Sequence, residues 1–148
     1  MSALFHAVFD TNVLLDFWVF ANRGAAPLRT ALEAGTVGAW RSGPVIDELS
    51  DVLARPGFGL SPERRCDILR HWGRLTRPVT RVFPAPWACS DSRDQMFVDL
   101  AFSARADWLI TRDKALLKLA RRARAAGLAI VEPIAAIARM TTPQAAHG

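Results

Sequence analysis

Short apolar runs alternate with longer stretches of helical period along almost the whole chain, and this alternation constrains the fold more than any other feature. Parallel strands need a crossover to return the chain, so the pattern predicts an α/β domain built on a mostly parallel sheet. Residues 4–9 read as the first strand, closed by Asp10, and a helical stretch begins at Val13. A helix over 27–34 stops at Gly35, and a second strand covers 36–40. Ser42-Gly43-Pro44 opens a helix to residue 54, and Ser61-Pro62-Glu63 opens another that reaches about Trp72. A short strand over 78–83, a loop over 84–90 and a helix over 94–105 follow. The remainder reads as a strand over 108–110, one helix over 114–126 and a last strand over 128–131. The expectation is a three-layer α/β/α domain over residues 1–140, with 141–148 a flexible C-terminal tail.

Composition narrows the function classes. The chain has 148 residues, enough for one core without disulfides, and 51% hydrophobic with 22% charged residues excludes a disordered chain. Cys66 and Cys89 stand far apart and the three histidines are scattered, so neither a disulfide framework nor zinc-finger spacing exists. The apolar run 13–21 is broken by Asp16 and falls short of the ~20 residues of a spanning helix. Asp10 interrupts the first apolar stretch and no basic segment precedes it, which argues against a secretory signal. A cytoplasmic protein is expected. The net charge of +5 favours a polyanionic partner such as nucleic acid, although nearly all the basic residues are Arg and such skew also follows genome composition.

The acids fall where chemistry is done in such folds. Ligands of open parallel sheets bind beyond the carboxyl ends of the strands. Asp10 closes the first strand and Asp113 lies just past the 108–110 strand, so topology brings them to one edge. On the helix from Pro44, Val45, Ile46, Leu49, Val52 and Leu53 form an apolar stripe. Asp47 and Asp51 fall opposite it, and Glu48 falls on its border, where a carboxylate is costly unless paired. Asp94 sits at the margin of the buried face of its helix; Asp91 reads as a cap and Asp99 points away, both held in reserve as alternatives to Asp94. Each acid also has an ordinary reading as a helix cap or dipole partner. Their recurrence at one edge favours a shared site. Crowded carboxylates raise one another's pKa, and a hard divalent cation, Mg²⁺ or Mn²⁺, removes that penalty and suits phosphodiester hydrolysis. Arg41, Arg93 and Arg112 lie near the same edge, as phosphate contacts or as ordinary surface arginines.

Four ordered segments carry a resemblance: Asp10-Thr11-Asn12-Val13-Leu14-Leu15, Ser42 to Leu49, Asp91 to Phe97, and Ala106 to Asp113. Together they resemble the PIN-domain family of metal-dependent ribonucleases, and are most similar to the VapC-like branch of bacterial toxins. The resemblance spans roughly residues 4–131. It implies Asp10 as central metal ligand, Glu48, Asp94 and Asp113 as the further acids, and Asn12 and Thr111 as hydrogen-bonding support. It also implies a Mg²⁺- or Mn²⁺-activated water attacking an RNA phosphodiester, a homodimer, and a small antitoxin as partner. Arg112 stands where the family usually has a small residue, so its cation is a candidate either to pair with the site acids or, like Arg93, to contact phosphate. The stretch Phe17-Trp18-Val19-Phe20 is either core or a dimer patch.

Two other readings compete. A haloacid-dehalogenase-like phosphatase needs a second Asp two residues after the first, and that position is Asn12, which cannot act as an acid. A catalytically silent RNA-binding or protein-interaction module would keep the acids as caps only. A dinucleotide-binding fold fails for want of G-x-G-x-x-G after the first strand.

Overall fold

The structure, a computed structural model, describes residues 3–141. Strand β1 (Phe5–Phe9) leads into α1 (Thr11–Trp18), a 3₁₀ turn and α2 (Ala26–Ala34). Strand β2 (Val37–Arg41) leads into α3 (Gly43–Leu53), and after a second 3₁₀ turn α4 (Pro62–Leu75) runs straight into β3 (Thr76–Pro78). A long loop ends in the 3₁₀ turn Ser92–Asp94, followed by α5 (Gln95–Ala104), β4 (Trp108–Ile110), α6 (Lys114–Leu117), α7 (Ala120–Arg124), β5 (Ala129–Val131) and α8 (Pro133–Thr141). All five strands are parallel in the order β3-β2-β1-β4-β5. Their alternate side chains enter opposite cores, as a sheet covered on both faces requires. Ala7, Phe9, Trp108 and Ile110 pack with α1, α2, α4 and α8, whereas Val8 and Leu109 pack with α5, α6 and α7. Helix α3 joins the two, with Val45 in the second core and Leu49, Val52 and Leu53 in the first.

The order of strands places a switch point between β1 and β4. Phe9 is in register with Ile110, and the Asp10 amide donates to the Ile110 carbonyl at 2.9 Å. The last residues of the two central strands are therefore level, and the chain leaves the sheet there in both cases. No helix among the described residues is long and apolar enough to cross a membrane.

Three expectations need correction. The third strand lies at Thr76–Pro78 and not over 78–83. Helix α4 continues past Trp72, which is fully buried against Phe9 and Trp18, and Thr76 then enters pairing with Ala39 directly. The stretch after Pro78 is loop: its backbone bonds to side chains of α5, Phe83 N–H to Ser103 Oγ and Ala85 N–H to Asp99. Its apolar residues, Val82 and Phe83, are surface residues that imitate a strand. The helix expected over 114–126 is two helices. The Leu119 amide bonds back three residues to Leu116, and this tightened turn lets Leu116, Leu119 and Ala123 all reach the second core. Helix α8, missed in the sequence, opens at Pro133 and buries Ala136. Thr141 closes α8, and the rest of the expected tail lies outside the described residues. Phe17 and Trp18 are core, Val19 is half-buried and Phe20 is exposed, packed against Phe58.

Candidate active site

Asp10, Glu48, Asp94 and Asp113 line one cleft of about 240 Å³. They arrive from four segments: the end of β1, the middle of α3, the turn before α5 and the segment after β4. Two larger hollows, of about 390 and 590 Å³, open by Trp40 and by Phe102, and neither gathers carboxylates.

Asp10 occupies the N-cap position of α1 but its side chain closes no capping bond. The buried Thr111 hydroxyl donates to Asp10 Oδ2 at 2.7 Å, and the same hydroxyl oxygen accepts from the Asp113 amide at 2.9 Å. Thr111 thus ties the two central strand ends together through the acids. Burial pushes the Asp10 carboxyl up. The Thr111 bond opposes that shift, the charges of Asp113 and Glu48 add to it, and the Asn12 amide pulls it down without capping. Asp113 does cap its helix, accepting from the Ala115 amide through Oδ1 at 2.7 Å. Glu48 accepts from the Thr11 hydroxyl through Oε2 at 2.9 Å. Each of these three acids therefore commits an oxygen to the scaffold while lining the cleft.

Asp94 is different. Its Oδ2 is buried without a hydrogen-bond partner among the described residues. Its carboxyl is pushed up to about 7, first by burial, then by lying within hydrogen-bonding reach of Asp113, and further by the charges of Asp113, Asp10 and Asp91. Two ionised carboxylates this close repel, and a shared cation relieves that repulsion. An orphaned carboxylate oxygen among acids fits a hard divalent cation, which takes oxygen ligands. Among the described residues no three acid, histidine or cysteine side chains are already drawn to metal-ligating geometry; the four acids border the cleft.

The remaining candidates divide clearly. Asn12 lines the cleft, and its side chain makes no hydrogen bond among the described residues. The hydroxyl that reaches Glu48 belongs to Thr11, which sequence reasoning missed. Asp91 lines the cleft, caps the turn before α5 and grips Arg93 through both oxygens, at 3.2 and 3.1 Å. Asp99 instead accepts from the Ala85 amide and from Gln95, fixing the long loop. Arg112 does not line the cleft; of the readings open to it, the structure shows an ion pair, with the buried Asp16 at 2.9 Å and not with one of the four site acids. Arg41 bonds carbonyls at the end of α4. Arg55, which sequence reasoning also missed, does line the cleft. The signal that finds it is its spacing, seven residues beyond Glu48 and just past the end of α3.

No curated protein matches the chain. A family model described as the PIN domain matches residues 6–115, well over half of its length, and covers all four acids.

Proposed function

The chain belongs to the PIN-domain family, whose members are typically nucleases that use divalent metals, and on that premise we propose that it is a Mg²⁺- or Mn²⁺-dependent endoribonuclease whose site is Asp10, Glu48, Asp94 and Asp113. The observation that carries the proposal is the buried, unpartnered Oδ2 of Asp94 beside Asp113, in a cleft bordered by two further acids. Helix caps alone leave that oxygen unexplained.

The four carboxylates would hold the cation. A bound Mg²⁺ or Mn²⁺ would polarise the phosphoryl oxygens and lower the pKa of water in the cleft. The chain's own work is positioning. Thr111 would hold Asp10 and Thr11 would hold Glu48 while the acids close on the cation. The Ala115 amide holds Asp113 through one oxygen and orients the other. Arg93, already held by Asp91, puts positive charge at the rim of an acidic cleft, where an incoming phosphate passes. The resemblance to VapC-like toxins extends the proposal: the toxin of a type II toxin–antitoxin pair, held by a small antitoxin and acting in the cytoplasm as a homodimer.

The test is cleavage of single-stranded RNA with Mg²⁺ or Mn²⁺. Activity that disappears with chelator and in Asp10→Asn is expected. RNA binding with no cleavage under any divalent ion would leave the silent-module reading in its place.

A further inference from the structure

We propose that Arg55 is a substrate-positioning residue that grips a phosphate displaced from the scissile one, so that the preferred substrate is an oligonucleotide strand and not a minimal diester. This rests on the nuclease reading above. Glu48, Val52 and Arg55 follow one another at i, i+4 and i+7 and all line the cleft, so α3 and its end present one face along it. Helix α3 ends at Leu53, but Ala54 keeps a helical backbone and the Arg55 amide bonds back to the Val52 carbonyl, so at ~1.5 Å per residue the Arg55 backbone stands about 10 Å along from Glu48. A stacked strand rises roughly 3.4 Å per nucleotide, so the offset amounts to about three nucleotides. The proposal places the phosphate gripped by Arg55 further along the strand than the one at the acids, on the same cleft. Val52 lies between the two, a small apolar floor for a ribose or base edge.

The state of the other cations makes Arg55 distinctive. Arg93 is bound to Asp91, Arg112 to Asp16, and Arg41 to the end of α4. Arg55 is exposed, and its guanidinium has no hydrogen bond or ion pair among the described residues, although five carboxylates border the same cleft. A guanidinium matches phosphate geometry with two parallel donors, and a free one lining the cleft is placed for that use.

The test compares wild type, Arg55→Gln and Arg55→Lys on a single-stranded RNA of about 12 nucleotides and on bis(p-nitrophenyl) phosphate. Arg55→Gln is expected to raise KM for the RNA about tenfold with kcat within about twofold, and to leave the small diester unchanged. Arg55→Lys should recover most of the loss. The slope of log(kcat/KM) against log salt should become shallower by about 0.7 in Arg55→Gln. An unchanged KM for RNA, as for a merely solvated helix-end cation, overturns the inference; so does an equal loss on both substrates. If wild type cleaves neither substrate, the nuclease reading fails separately. Fluorescence anisotropy of the labelled RNA in Ca²⁺ then decides Arg55: about tenfold weaker binding in Arg55→Gln supports it, and equal affinity overturns it.

Discussion

Replacing Asp94 with Asn should stabilise the metal-free protein while removing its activity. Asp94 sits at about 7 against an ordinary 3.8, and its Oδ2 has no partner among the described residues. Because the folded value is raised, the native state holds more protons than the unfolded chain between these two values. Stability therefore falls as pH rises from about 4 to about 7 and levels off above that. Each tenfold change in proton affinity is worth ~1.36 kcal/mol, so this rise sets a ceiling of about 4 kcal/mol. The side chain is partly open to solvent, and screening brings the expected cost to about 1–2 kcal/mol. Asn carries no charge and can donate to Asp113, so Asp94→Asn recovers that amount. For a domain of this size about 1–2 kcal/mol corresponds to a rise in Tm of roughly 2–8 °C. The assay is thermal unfolding in chelator at pH 5 and pH 8, repeated with Mn²⁺. Wild type should melt lower at pH 8 than at pH 5 in chelator and gain stability with Mn²⁺, by about 2.7 kcal/mol at a hundredfold excess over Kd. Asp94→Asn should lose both the pH slope and most of the Mn²⁺ gain. A lower Tm for Asp94→Asn in chelator at pH 8 would refute the reasoning, because it would make Asp94 a stabilising residue.

Other outcomes follow from the same contacts. Thr111→Val keeps the shape but strips Asp10 of its donor and the Asp113 amide of its acceptor; a loss of about 1–3 kcal/mol by chemical denaturation and a ten- to hundredfold weaker Mn²⁺ affinity by calorimetry are expected. Arg112→Ala leaves the carboxylate of Asp16, 7% exposed, without its cation. It should cost about 1–2 kcal/mol in stability, much less in an Asp16→Asn background, with RNA KM unchanged; a raised KM would restore Arg112 as a phosphate contact. Arg105 ends α5 at φ 53°, a left-handed position that favours glycine. Arg105→Gly should raise stability by about 0.5–1 kcal/mol, read as a higher denaturation midpoint.

The fold was legible where burial and chain period agree. The strand before Asp10 and the strand before Thr111 are short apolar runs with polar ends, so the elements and their adjacency followed from pattern and topology. Helical period likewise placed Glu48 at the border of the α3 stripe, and the structure finds it half-buried. Pattern failed where apolar residues lie on the surface, as with Val82 and Phe83. It failed again where one helical pattern bends, at the Leu119 turn between α6 and α7. Within the cleft, the partners of the acids were the hidden part. Whether Thr11 or Asn12 reaches Glu48 depends on how α1 packs on α3, and whether Arg112 reaches phosphate or Asp16 depends on a rotamer. Neither is written in local sequence. Arg55 lay in plain view at i+7 from Glu48, but its place in the cleft shows only once Glu48 and Val52 are seen to border it.

Diffraction from crystals soaked in Mn²⁺, with its anomalous signal located, tests the central claim most directly. A peak within ligating distance of Asp10, Asp94 and Asp113 in wild type, gone in Asp10→Asn, is the expected result. Manganese bound only elsewhere, with RNA cleavage persisting in chelator, would contradict the account.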